Sequence, residues 1–288
     1  MQKEHPELFW LSYSAHITYY GDYAELTFQC YEDINPDEIP TMCKQFDQAA
    51  AEVLAQVPEH ATDYEKILFI HDWIIDHTSY DSDGRDSGRS GIYSSAYGAI
   101  VNGKAVCSGY ANAFQYFMNQ FGIEGNTISG LANGESHGWN YVVLDGEYYW
   151  VDVTWDDSTI DDEFMEQLFH RYMLVPDEVL LRDHTPDASP ESNLFIPTCS
   201  GTKYNYFRMN NCYFESYNLE ALMDTLNAHT KEDAIEVMFR NQQDYEQACH
   251  DLFHENQLYH MGTEELQSFR MYFCDDATYT LKLNNTKD

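Results

Sequence analysis

Basic residues are scarce: 15 lysines and arginines stand against 49 aspartates and glutamates in 288 residues, a formal charge of −34. A surface of that sign repels phosphate backbones and anionic lipid, so nucleic acid and acidic membrane are not expected partners. Its simplest consequence is a well-solvated, soluble surface. Long apolar runs are also missing, none approaching the ~18 residues that span a bilayer, and no secretory leader is visible at the start. The seven cysteines (Cys30, Cys43, Cys107, Cys199, Cys212, Cys249 and Cys274) include no CxxC pair. That excludes zinc-ribbon spacing and a dense disulfide framework. Six of them, Cys107 apart, are left to pair or to stay reduced. No internal repeat or low-complexity tract appears.

What is present centres on Ala96 to Asp157. Asn102-Gly103 mark a turn, and Cys107-Ser108-Gly109 open a helix whose apolar residues Tyr110, Phe114, Phe117, Met118 and Phe121 recur at three- and four-residue spacing. Gly122 supplies the left-handed stop. An apolar run near Ile123–Leu131 follows, then a polar, glycine-rich loop and a strand from His137 to Leu144. Asp145-Gly146 turns the chain into a second strand, Glu147 to Thr154. In a two-residue hairpin there, paired residue numbers sum to 291, so His137 faces Thr154 and Asp152 is its diagonal same-face neighbour.

This pattern has chemical content. A thiol at a helix N-terminus lies at the positive end of the helix dipole, which favours the nucleophilic thiolate. A histidine on a neighbouring strand can move its proton, and a carboxylate on the next strand can fix the imidazole and stabilise its cation. Cys107, His137 and Asp152 are therefore candidate nucleophile, base and orienting residue. Each taken singly reads more simply as packing, since a lone cysteine is usually a small buried hydrophobe. It is the order and spacing of the three that point to catalysis. The Cys107 N–H is the expected oxyanion donor, and Trp139 and Trp155, flanking the triad residues, are candidate cleft walls.

The rest of the chain frames this stretch. A hairpin is expected over Ser14–Tyr20 and Tyr23–Tyr31, then a helix from Pro36 to about Gln56. Thr62 and Glu65 form a capping box for a second helix, Asp63 to about His77. Ser79–Gly91 reads as a flexible loop bordering the cleft. Its Asp81, Asp83 and Asp86 suggest a calcium loop, but Arg85, Asp86 and Ile92 occupy positions that an EF-hand reserves for a ligand, a glycine and a closing glutamate. A helical stretch is expected over Asp161–Leu174, and a proline- and serine-rich boundary over Arg182–Pro197. Beyond it, strands at Lys203–Phe207, Cys212–Tyr217, Ala234–Phe239, Phe269–Cys274 and Thr278–Leu283 mix with helices at Asn218–His229 and Gln242–Asn256. His250 and His254 have zinc-helix spacing, yet Asp251 stands where a metalloprotease needs glutamate and no third ligand follows. No metal and no other cofactor is expected.

The strings GKAVCSGYANAF, SHGWN and WVDVTWD resemble the transglutaminase-like superfamily, with its papain-type thiol core, and bacterial transglutaminase-like domain proteins in particular. The likeness is strong over Tyr64–Asp157 and weaker at HPELFW, RYMLVPDEV, DHTP and TKYNYF. It implies an α+β fold in which the nucleophile helix packs on an antiparallel sheet, with Cys107, His137 and Asp152 as the triad. The expected organisation is an N-terminal hairpin and helix extension (residues 1–60), the core (61–192) and a small α+β accessory domain (193–288). The resemblance also implies an upstream side-chain oxyanion donor, for which Tyr80 is the first candidate and Trp73 the second. Expected substrates are proteins or peptides, attacked by a cysteine peptidase or amidase or by a protein-glutamine acyltransferase. The alternative is a non-catalytic peptide- or cell-wall-binding module. Localisation stays open on the sequence; analogy with relatives favours the outside of the cell or its envelope.

Overall fold

Asp145 and Gly146 have φ of +53° and +79°, the two left-handed residues that a tight hairpin requires. They set the register of the central sheet. Asn140 pairs with Val151 and Leu144 with Glu147, both pairs summing to 291 as expected. In this computed structural model, which describes residues 3–88, 90–157, 168–189, 195–269 and 271–284, these strands lie inside an antiparallel five-stranded sheet. Its order is Met173–Val175, Glu147–Val151, Glu135–Leu144, Gly125–Ala132 and His184–Pro186.

Successive side chains on a strand point to opposite faces, and this sheet buries both. Val142, Leu144, Tyr149 and Val151 join the core formed with helices Ile39–Leu54, Asp63–His77, Ala96–Ile100 and Cys107–Phe121. Trp139, Tyr141 and Trp150 point the other way. They share a second apolar cluster with a four-stranded sheet ordered Tyr213–Phe214, Ala234–Phe239, Thr280–Asn284 and Met271–Asp275. The two larger sheets of this α+β architecture thus share one apolar seam.

The helix Cys107–Phe121 is more enclosed than its periodicity suggests: Gly109 to Met118 are all buried, because the sheet covers one side and helices the others. Its polar members find partners there. Asn112 donates to the Ser94 carbonyl at 3.1 Å and Gln115 to the Gly125 carbonyl at 3.1 Å. Gly122, at φ +69°, ends it. The capping box of Thr62 and Glu65 opens the Asp63–His77 helix as expected. Gly109 permits the tightest contact at the helix start, since a Cβ there would lie 2.6 Å from the Tyr93 carbonyl oxygen and 2.7 Å from the Ala105 Cβ.

Several local expectations are corrected. Ser79–Gly91 is not a plain loop: Ser79–Tyr80 pairs in parallel with Lys104–Ala105, and Asp81 caps a short helix, Ser82–Asp86, by accepting from the Gly84 N–H. Of the helix expected over Asp161–Leu174, residues 161–167 lie outside the described residues, and Met173–Val175 is a strand. Lys203–Phe207 yields to a helical turn, Tyr206–Met209, anchored by Tyr206 stacking on His170 at 3.7 Å. The helix beginning at Gln242 is regular only to Cys249 and widens to a π-turn over His250–His254. The N-terminal hairpin, Leu11–Tyr20 with Tyr23–Cys30, forms as expected and leaves Ile17, Tyr19, Tyr23 and Leu26 exposed.

Gly109→Ala is expected to lower stability by about 1–3 kcal/mol through overpacking, measured as a reduced urea midpoint. An unchanged midpoint would contradict the close packing at the helix start.

Candidate active site

The short strand Lys104–Ala105 delivers the chain to Val106, whose extended backbone precedes the first helical residue, Cys107. The Cys107 N–H therefore has no carbonyl one turn behind it to bond, and its thiol is partly exposed. Gly138 leaves the strand bare opposite this point: a Cβ there would sit 3.9 Å from the Ser108 Cα. One turn along, the Tyr110 hydroxyl donates to the Asp157 carboxylate at 2.6 Å. That bond ties the helix to the segment following the strand Glu147–Val151.

Asp152, the first residue after that strand, is fully buried and fully engaged. Its Oδ1 accepts from the Thr154 and Trp155 N–H groups at 3.0 and 3.1 Å. Its Oδ2 lies 2.7 Å from His137 Nε2 and 3.0 Å from His184 Nε2. Burial alone would raise its pKa, but attraction to His137 and bonds from both imidazoles hold it well below the usual carboxylate range. His137 responds in the opposite sense. Burial pulls its pKa down, yet the Asp152 carboxylate first, and the neighbouring Cys107 second, outweigh this and push it up to about 10. With Nε2 on Asp152, Nδ1 is the ring nitrogen left for the sulfur. The structure thus pairs His137 with Asp152 and leaves Cys107 within electrostatic reach of the same imidazole.

His184 is the member that sequence reasoning missed. It sits on the edge strand His184–Pro186, fully buried, with Nδ1 2.5 Å from Asp183 Oδ1. Asp183 in turn accepts from the Tyr172 hydroxyl at 2.5 Å. Burial lowers the His184 pKa, and the two flanking carboxylates more than restore it, leaving it raised. The DHTP string was visible, but nothing local marks its histidine as a partner of a residue 32 positions earlier.

The remaining candidates separate. Tyr80, on the strand beside Lys104–Ala105, lies within electrostatic reach of Cys107; burial and that neighbour push its hydroxyl up to about 12. Trp73 does not reach the thiol. It stacks on His77 at 4.4 Å and meets Phe117 edge-on at 5.9 Å, a residue roughly 15 Å along the helix from Cys107. Trp139 is 1% exposed and packs beneath His137 against Trp150 and His184, so it supports the imidazole and cannot wall an open cleft. Trp155 is half-buried, with its ring 5.6 Å from His137 and 4.6 Å from His184. Asp81, from the calcium-like string, is taken up internally by Gly84 and by Lys104 at 3.0 Å. Among the described residues, two sets have donors converging as a metal site would need: His137, Asp152 and His184, which are already engaged here, and His71, Asp72 and His170. Among the described residues no helix is long and apolar enough to cross a membrane.

Residues 49–154 match the model of the Transglutaminase-like superfamily. The Kyphoscoliosis peptidase of Homo sapiens is 27% identical over 145 residues, 45% of this chain and 22% of that protein. The Mus musculus protein of the same name is 26% identical over 144 residues, with the same shares. The chain spans about a fifth of the length of these curated relatives. A crystal structure of a TGase aligns over 53% of this chain and 47% of its own, at 12% identity and a TM-score of 0.35.

Because the His137 pKa is raised from 6.5 to about 10, its stabilising contribution is complete below about pH 6.5 and is lost as pH rises through about 10. The difference in Tm between the wild type and His137→Gln is expected to shrink over that window. A difference that widens with rising pH would contradict the buried ion pair.

Proposed function

From the premise that residues 49–154 form a transglutaminase-like core, we propose that the chain is a thiol enzyme cleaving peptide or glutamine carboxamide bonds through a Cys107 thioester. The observation that carries this reading is the 2.7 Å contact between His137 and a buried Asp152, with Cys107 close enough to the same imidazole to raise its pKa. A module that only bound peptides would have no use for a buried carboxylate aimed at an imidazole beside a thiol.

In the proposed reaction the Cys107 thiolate, with imidazolium at His137 as counter-ion, adds to the substrate carbonyl carbon. The developing oxyanion is met by the Cys107 N–H and, as the upstream donor in this reading, by the Tyr80 hydroxyl, whose pKa feels the Cys107 sulfur. His137 then gives its proton to the departing nitrogen, the C–N bond breaks, and the acyl group remains on sulfur. The now neutral imidazole takes a proton from water as the water attacks, releasing the acid and restoring thiolate and imidazolium. Asp152 holds the ring in place throughout and stabilises its cationic form. His184 shares the same carboxylate oxygen and fixes where that oxygen lies, so it acts as a positioning residue. Trp155 forms the wall beside the imidazole.

Hydrolysis is the first reading because the matching relatives bear the name peptidase. A protein-glutamine acyltransferase is the second: the same thioester would be resolved by a primary amine in place of water. The two are separated by following ammonia release from a glutamine peptide with and without an added amine. Incorporation of the amine marks a transferase, and cleavage of the peptide bond marks a peptidase.

Iodoacetamide at neutral pH is expected to label Cys107 faster than the other six cysteines, including the exposed Cys274. His137→Ala is expected to remove that preference and Asp152→Ala to weaken it, with adducts located by peptide mass mapping. Equal, slow labelling of Cys107 and Cys274 would contradict an activated thiol.

A further inference from the structure

A second group of imidazoles lies at the seam between the core and the four-stranded sheet. His71 and Asp72 come from the helix Asp63–His77, His170 from the approach to Met173–Val175, and Glu236 from Ala234–Phe239. One carboxylate oxygen, Asp72 Oδ1, sits 2.9 Å from His71 Nδ1 and 3.2 Å from His170 Nε2. The opposite ring nitrogens are also occupied. His71 Nε2 is 3.2 Å from Asp156 Oδ2, and His170 Nδ1 is 3.0 Å from Glu236 Oε1.

A neutral imidazole carries one N–H and can donate to only one carboxylate. Each of these rings has a carboxylate at both nitrogens, so each carries either a second proton, as His184 does between Asp152 and Asp183, or a metal; here the shared carboxylate is partly exposed, so an ion can reach it. Two protons would place two cationic rings nearly parallel, 24° apart with centroids at 5.6 Å, where their side chains are 0% and 8% exposed. One divalent ion shared by both rings supplies the same charge and removes that repulsion. The distances suit it. Ligands at 2.0–2.1 Å from a tetrahedral ion lie about 3.3 Å apart, close to the observed 2.9 and 3.2 Å. Asp156 and Glu236 would then accept the remaining N–H groups, the arrangement by which metal-bound histidines are held in orientation. The Asp72 side chain is 35% exposed, which gives the ion a route in and leaves a position for water.

We propose that His71, Asp72 and His170 bind one divalent transition-metal ion of the zinc class, with Asp156 and Glu236 as supporting carboxylates. The site is separate from the thiol chemistry. It braces the core against the C-terminal sheet and, through Asp156, steadies the segment that begins at Asp152. Spacing could not reveal it, because Asp72 and His170 are 98 residues apart.

The test is titration of the full chain with Co²⁺ in a Cys107→Ala background, which keeps the thiol out of the readout and makes the result independent of the proposed enzyme activity. One equivalent is expected to bind, with visible d–d absorption and no sulfur-to-cobalt charge-transfer band. Asp72→Asn, at a partly exposed position, is expected to abolish stoichiometric binding while the far-UV circular dichroism stays that of the parent. Glu236→Gln is expected to weaken it about 10–100-fold, while His137→Gln leaves it intact. Absence of stoichiometric binding, its survival in Asp72→Asn, or its loss in His137→Gln would each overturn the proposal.

Discussion

The buried carboxylate of Asp152 is the constraint on which the rest of the structure depends. Burying a carboxylate costs several kcal/mol unless its oxygens are met by donors. Here four donors meet it: two backbone N–H groups just beyond it, the imidazole of the neighbouring hairpin strand and that of the edge strand. Each donor demands something of the fold. The N–H pair requires the turn over Val153–Asp156, His137 requires the register fixed at Asp145-Gly146, and His184 requires an edge strand added on the far side of the sheet. A shift of one residue in the hairpin would turn His137 to the other face and leave a charge in the core without one of its four donors.

That dependence explains why the site sits at the junction of two packing layers. The helix Cys107–Phe121 is clamped on one face of the sheet by apolar contacts, and Tyr110 reaches from it to Asp157. On the other face, Trp139 and Trp155 pack around His137 and His184. The segment from Asp152 to Asp157 is therefore held by both layers. Asp156 extends the same logic toward the C-terminal sheet by accepting from the Tyr172 N–H and bonding His71. The accessory strands thus share the core's second apolar face and its buried charges.

Much of this was legible in the sequence, and the legible parts have local causes. Asp145-Gly146 names its own turn, Thr62 and Glu65 name a helix start, and Gly122 names a helix end. From these the order of helix, strand and strand follows, and with it the neighbourhood of Cys107, His137 and Asp152. What was not legible depends on contacts between segments far apart. His184 gains its role from Asp152, and Trp73 loses its candidacy because the helix period does not say which neighbour a tryptophan meets. Trp139 looked like a wall from its position next to His137, but a second sheet covers it. The alternation around Lys203–Phe207 suggested a strand, and stacking of Tyr206 on His170 made it a turn instead.

The most direct test of the central claim is to catch the acyl group on sulfur. The full chain is mixed with an activated ester, quenched in acid within the first turnover, and read by intact and peptide mass spectrometry. A single acyl adduct confined to Cys107, absent when His137 is replaced by alanine, is the result this account requires. An adduct on another residue, or none under conditions where the folded protein turns the ester over, would contradict it.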